Sequence, residues 1–132
     1  MNIIIDTHIL LDVLFQREKL TKKDLFYILD ENNEVFISGI SLFEISLKYS
    51  LGKLELKNTR PDEIPASIIE NGYQIEISDS EIFSTFYKLE KTKHKDPFDR
   101  LIIWHAIRRN YYLLSHDSEF PQYRKYGLKL LK

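Results

Sequence analysis

The stretch IIIDTHILLDVLF, residues 3–15, changes its pattern within a few positions. Ile3, Ile4 and Ile5 form a wholly apolar, β-branched run, the pattern of a strand buried on both faces, as in a parallel sheet. Asp6 ends that run at once. From Ile9 to Phe15 the apolar residues follow one another too densely for a half-exposed strand and read as a buried helix. A buried strand passing straight into a helix asks whether strands and helices keep alternating along the rest of the chain.

They do. Residues 22–31 read as an amphipathic helix with Leu25, Phe26, Ile28 and Leu29 on its apolar side, closed by Asn32 and Asn33. Val35–Ile37 is a second short strand. A helix runs from Ser41 to about Ser50, with Gly52 near its stop. Residues 53–65 form a loop broken by Pro61 and Pro65. Residues 66–71 are weakly helical, and 73–77 read as a strand. Asp79 to Lys88 is amphipathic, carrying Ile82, Phe83 and Phe86, with Leu89 just beyond. The polar stretch KTKHK precedes the clearest helix, which Pro97 opens and which runs to about Asn110. Residues 111–114 and 129–131 are the last strands, the second at an edge. The prediction is an α/β fold with a central, mainly parallel sheet of about five short strands, and right-handed crossovers that lay helices on both faces.

Composition bounds the rest. At 132 residues, the chain 1–132 reads as a single domain. It is 43% apolar and 30% charged, which excludes a disordered or fibrous chain. The absence of cysteine excludes disulfides, thiolate metal sites and a cysteine nucleophile. No apolar run approaches the roughly 18 residues of a membrane span. The start MNIIID lacks the positive segment of a secretory leader, so the expected location is the cytoplasm, with no membrane partner. The net charge is -1, so any nucleic-acid contact must use local patches.

In open parallel sheets, ligands sit outside the carboxyl ends of the strands. Asp6 follows the first strand directly, and Asp117 follows the 111–114 strand after Ser115 and His116. Glu44 and Asp99 fall in the first turns of the helices predicted at Ser41 and Pro97. Four carboxylates from four distant segments then share one edge. Each also has a plain structural role open to it: Asp96 as N-cap with Pro97 at N1, Ser41-x-x-Glu44 as a capping box, Ser78-x-x-Glu81 as another. Capping accounts for any one acid but not for their shared edge. Carboxylates packed at ~4–6 Å raise one another's pKa, and a divalent cation relieves the repulsion. All-oxygen ligands suit Mg2+ or Mn2+, and such ions act on phosphates. The arrangement is that of metal-dependent phosphodiester hydrolysis.

The residues resemble a known family at this point. The stretches IIIDTHILLD (3–12), SGISLFEISLKYSLGKL (38–54), HKDPFDRLIIWHA (94–106), LLSHDSEF (113–120) and YGLKLL (126–131) resemble PIN-domain ribonucleases, and most of all the VapC-type toxins of bacterial or archaeal toxin–antitoxin systems. HKDPFDRLI is the most specific of them. The resemblance implies metal-binding, catalytic acids at Asp6, Glu44, Asp99 and Asp117. It implies supporting hydrogen bonds from Ser115 and Thr7, with Asp96 as the helix cap. It also implies a three-layer sandwich, Mg2+- or Mn2+-dependent cleavage of RNA, a homodimer, and a cognate antitoxin as partner. Two positions depart from the pattern: His116 stands where many relatives carry Arg, and Trp104 where they often carry a smaller or polar residue.

Between Lys88 and Arg109 there are seven basic residues against three acids. Lys93, Lys95 and Arg100 are the candidates for RNA phosphate contacts, with His116 beside the last acid. His8 also lies near the acids, whereas His105, inside an apolar helix, reads as a core residue. No two histidines stand at the helical spacing of a zinc site. Tyr49, Tyr123 and Tyr126 are candidates for exposed stacking surfaces. The alternative to a nuclease is a non-catalytic PIN-like module that binds RNA or protein. A haloacid-dehalogenase-type phosphatase requires Asp-x-Asp after the first strand, and the sequence there is Asp6-Thr7-His8.

Overall fold

The computed structural model describes residues 1–131. Its sheet is built from β1 (Asn2–Ile5), β2 (Glu34–Ser38), β3 (Gln74–Glu76), β4 (Tyr112–Leu114) and β5 (Lys129–Leu131). The helices are α1 (Thr7–Phe15), α2 (Lys22–Leu29), α3 (Gly39–Ser50), α4 (Ile64–Glu70), α5 (Ser80–Thr85) and α6 (Pro97–Arg109). Single turns of tighter helix fill Arg17–Lys19, Pro61–Glu63 and Phe86–Lys88, and a longer one spans Pro121–Tyr126. The strand order is β3-β2-β1-β4-β5 and every neighbouring pair is parallel. The fold is therefore α/β with five parallel strands between helical layers, as the alternation predicts.

The central position of β1 follows from its composition. Ile3, Ile4 and Ile5 are wholly buried, and successive side chains point to opposite faces. Ile3 and Ile5 pack with Leu10, Val13, Ile64 and Ile68 on one side. Ile4 packs with Ile102, Ile103, Leu113 and Phe120 on the other. One short strand thus joins both cores. Fully burying each isoleucine contributes about 1.5–3 kcal/mol.

The chain steps from β1 to β2 to β3 on one side, then returns to lay β4 on the other flank of β1. The direction of travel reverses between β1 and β4, which is where parallel sheets open a crevice. Ile3 pairs with Tyr112 and Ile5 with Leu114, so the residues just after the two strands emerge side by side. The Asp6 amide donates to the Leu114 carbonyl at 3.2 Å, extending the ladder to the edge itself.

Two helix starts differ from the sequence expectation. α3 begins at Gly39, not Ser41, because Ser38 is its N-cap and accepts the Ile40 amide at 3.1 Å. Glu44 therefore lies in the second turn rather than the first, and the Ser41-x-x-Glu44 capping box does not form. α5 is capped by Asp79, which accepts the Ile82 amide, so the Ser78-x-x-Glu81 box does not form either. The helix expected over 79–88 is α5 followed by the tight turn Phe86–Lys88. Tyr123, a candidate for an exposed stacking residue, is wholly buried. Trp104 lies in the core with its indole N–H donating to Thr85 Oγ1 at 3.2 Å. Among the described residues no helix is long and apolar enough to cross a membrane.

Candidate active site

Asp6 ends β1 and caps α1. Its Oδ1 accepts the Ile9 amide at 2.8 Å, and its Oδ2 accepts the Ser115 hydroxyl at 2.5 Å. Ser115 Oγ in turn accepts the Asp117 amide at 3.1 Å, so one serine links the two acids that leave β1 and β4. Burial pushes the Asp6 carboxyl above its usual range. The Ser115 and Ile9 bonds oppose that rise, and the Asp117 charge adds to it.

Thr7 begins α1 and its hydroxyl reaches across to α3. It donates to Glu44 Oε1 at 2.7 Å and stands 2.9 Å from Ser41 Oγ. Glu44 is only 5% exposed, and its second oxygen, Oε2, meets Lys48 Nζ at 2.5 Å. Asp99 enters from the start of α6, where Asp96 Oδ1 accepts the amides of Phe98 and Asp99 at 2.9 and 3.0 Å. That cap fixes the first turn of the helix and with it the Asp99 side chain. Asp99 Oδ2 faces His94 Nε2 at 3.2 Å. The other ring nitrogen of His94 faces the Tyr123 hydroxyl at 3.0 Å.

The Asp99 carboxyl is pushed up to about 6, first by burial and next by the charge of Asp96, with Glu44 and Asp117 adding to it and His94 opposing. Asp117 acts on both Asp6 and Asp99, and Glu44 acts on Asp99, so the four acids are linked in series. A cavity of about 190 Å3 holds Thr7, His8, Glu44, Lys48 and Asp99. One of about 380 Å3 holds Asp6, His8, Asp12, His116 and Asp117. His8, exposed at the start of α1, lines both, and the two together form one cleft across the carboxyl edge of the sheet.

The chemistry of this cleft fits a hard divalent cation. Its donors are carboxylate oxygens, and burial first, then the charges of neighbouring acids, hold Asp99 above its ordinary range. Among the described residues no three His, Asp or Glu side chains converge closely enough to hold a metal in their present rotamers. In these rotamers Glu44 is turned to Lys48 and Asp99 to His94.

The structure thus brings Asp6, Glu44, Asp99 and Asp117 to one cleft, with Thr7, Ser115 and Asp96 in contact with them or with their backbone. The candidate RNA contacts part company. Lys93 and Lys95 are exposed on the segment before α6. The Arg100 guanidinium is engaged within the fold, donating to the Leu89 and Glu90 carbonyls and to Tyr123 O–H at 3.0–3.3 Å. His116 Nε2 sits 2.8 Å from both oxygens of Asp24, a wholly buried residue of α2. Two residues beside the acids escaped the sequence reading. Lys48 is signalled only by its i, i+4 spacing from Glu44, and His94 stands in a loop, where no periodicity marks it.

The PIN domain family model matches residues 3–126. This chain belongs to the PIN domain family. Several solved structures share its fold over nearly its whole length. VapBC2 from Rickettsia felis, solved bound to a DNA fragment from its promoter, is 22% identical with a TM-score of 0.68, covering 99% of this chain and 98% of that one. VapBC-1 from nontypeable Haemophilus influenzae is 18% identical with a TM-score of 0.69, covering 100% and 98%. DNA-bound VapBC from Salmonella typhimurium is 15% identical with a TM-score of 0.61, covering 99% and 97%. At these identities the likeness is one of fold. No curated protein sequence matches the chain.

Proposed function

We propose that this PIN-domain chain is a Mg2+- or Mn2+-dependent endoribonuclease, acting in the cytoplasm as the toxin of a toxin–antitoxin pair. The observation that carries the reading is the cleft itself, in which Asp6, Glu44, Asp99 and Asp117 from four segments, linked in series by their charges, gather at the carboxyl edge of a PIN-domain sheet. The likeness to VapBC structures supports a cognate antitoxin as partner. Residues 1–132 act as one domain, and a homodimer is the expected assembly.

Asp6, Glu44, Asp99 and Asp117 are the residues that would hold the cation. When bound, it supplies Lewis-acid activation of water and neutralises charge on the phosphodiester. The remaining work belongs to the chain. Ser115 and the Ile9 amide fix the Asp6 carboxylate, and Thr7 fixes one oxygen of Glu44. Asp96 aligns the first turn of α6, and His94 orients Asp99. Lys93 and Lys95 supply phosphate contacts that hold the RNA strand over the cleft.

The test is incubation of total cellular RNA with the purified protein and Mn2+ or Mg2+. Discrete fragments are expected, lost with EDTA and lost in Asp99→Ala. Folded, cation-loaded protein that cuts no RNA overturns the reading and leaves the non-catalytic binding module in its place.

A further inference from the structure

Lys48 stands one helical turn beyond Glu44 on α3, with its ammonium 2.5 Å from Glu44 Oε2. On a solvated helix face such a pair contributes little. This acid is not solvated: the Glu44 side chain is 6% exposed, that of Lys48 40%. The other Glu44 oxygen accepts from Thr7. Both oxygens therefore already accept from the chain's own donors, and a cation that coordinates Glu44 through Oε2 meets the Lys48 ammonium there. The Thr7 hydroxyl is buried and fixed by its helix. The ammonium is at the mouth of the cleft, on a flexible four-carbon stem, in the same cavity as Asp99 and Lys53.

We propose that Lys48 is the exchangeable counter-ion of the acid cleft: it neutralises Glu44 while no divalent cation is present, releases Glu44 to the cation, and then turns its ammonium to a phosphate of the RNA strand. The proposal rests on the nuclease reading and adds a residue to it. A compact ammonium suits this exchange, because it binds a carboxylate or a phosphate as a point charge without a fixed fork geometry. Its charge also repels the incoming cation, so the pair sets a threshold concentration for metal loading.

A purely structural Lys48, holding Glu44 in place, predicts the opposite sign. Removing it then loosens Glu44 and weakens metal binding. The decisive experiment is calorimetric titration of the full chain with Mn2+, without RNA, for wild type, Lys48→Met and Lys48→Arg, followed by RNA cleavage at saturating Mn2+. Lys48→Met is expected to bind Mn2+ at least threefold more tightly than wild type, yet to cleave at least tenfold more slowly. Lys48→Arg, whose fork grips a carboxylate at two points, is expected to bind Mn2+ no more tightly than wild type. Equal or weaker Mn2+ binding by Lys48→Met beside a normal wild type overturns the counter-ion role and leaves the nuclease reading standing. Undiminished cleavage by Lys48→Met overturns the phosphate role. A wild type that binds no Mn2+ overturns both readings together.

Discussion

At the scale of single residues, the charge balance of Asp99 makes a prediction about the metal-free protein. Its carboxyl titrates near 6 in the fold against 3.8 ordinarily, so the folded state holds this proton more tightly than the unfolded chain does. The associated stability is fully present below the ordinary value and is lost as pH rises from about 4 through about 6. At pH 7 the ionised side chain then costs the fold about 1–2 kcal/mol, once its partial contact with solvent is discounted. Asp99→Asn removes the charge and keeps an acceptor for His94. In chelator-treated protein it should melt about 4–8 °C above wild type at pH 7.5. The two should melt together near pH 4, where Asp99 is already protonated. A difference that does not change with pH rules out charge repulsion as the cause. The positions of Asp6, Asp117 and Asp99 at the carboxyl edge were legible in the sequence, because strand ends and the DPFDR helix start fix where they emerge, whereas Glu44 stands one turn deeper in α3 than its spacing suggested. His94 was not legible, since its link to Asp99 runs through a loop and the buried Tyr123, 29 residues away. Arg100 looked like any exposed arginine, because only the folded loop supplies the carbonyls it binds.

Arg100 leads to the scale of elements. The segment from Leu89 to Asp96 has no regular structure, yet it delivers His94 to the cleft and Asp96 to the cap of α6. The Arg100 guanidinium holds its start through the Leu89 and Glu90 carbonyls, and packs between the rings of Phe86 and Tyr123. Arg100→Ala should therefore cost about 2–3 kcal/mol, since hydrogen bonds to a charged donor contribute more than neutral ones. Lys93→Ala and Lys95→Ala, on the same segment but exposed, should change stability by less than about 0.5 kcal/mol. They should instead weaken RNA binding and flatten its salt dependence by about one charge each. Urea melts beside RNA-binding titrations at several salt concentrations separate the two effects, and a stable Arg100→Ala would show that the loop is held by something else. The helix starts teach a related lesson. Ser38 and Ser41 are equally good caps by residue type. In the fold Ser38, at the end of β2, is the cap, and Ser41 is wholly buried beside the Thr7 hydroxyl from 34 positions earlier in the chain. Ser78 is likewise drawn from capping to the wholly buried His105 ring at 2.9 Å, and the other ring nitrogen meets Glu76. Local pattern located these elements, and tertiary contacts set their first residues.

At the scale of the whole molecule, the topology that gathers the acids also leaves a surface beside them uncovered. An apolar groove of about 460 Å3 runs between α3, α5 and α6, lined by Ile40, Phe43, Ile77, Phe83, Phe98 and Leu101. Phe43, Ile77 and Phe83 are 60%, 67% and 49% exposed. An apolar surface of this kind on a charged chain is an expected contact site. Two of its walls belong to the acid cleft's own helices: Phe43 precedes Glu44 on α3, and Phe98 precedes Asp99 on α6, with the two rings 5.8 Å apart. A second copy seated there by two-fold symmetry would bury the same patch on both protomers and hold α3 and α6 at a fixed separation. The homodimer proposed above, if formed through this face, would couple assembly to the site. Phe43→Asp should yield a monomer by light scattering. Because Phe43 is mostly exposed in the single chain, the monomer should remain folded, and it should bind Mn2+ more weakly than the dimer as α3 and α6 lose their common support. A Phe43→Asp protein that stays dimeric rules this groove out as the dimer contact.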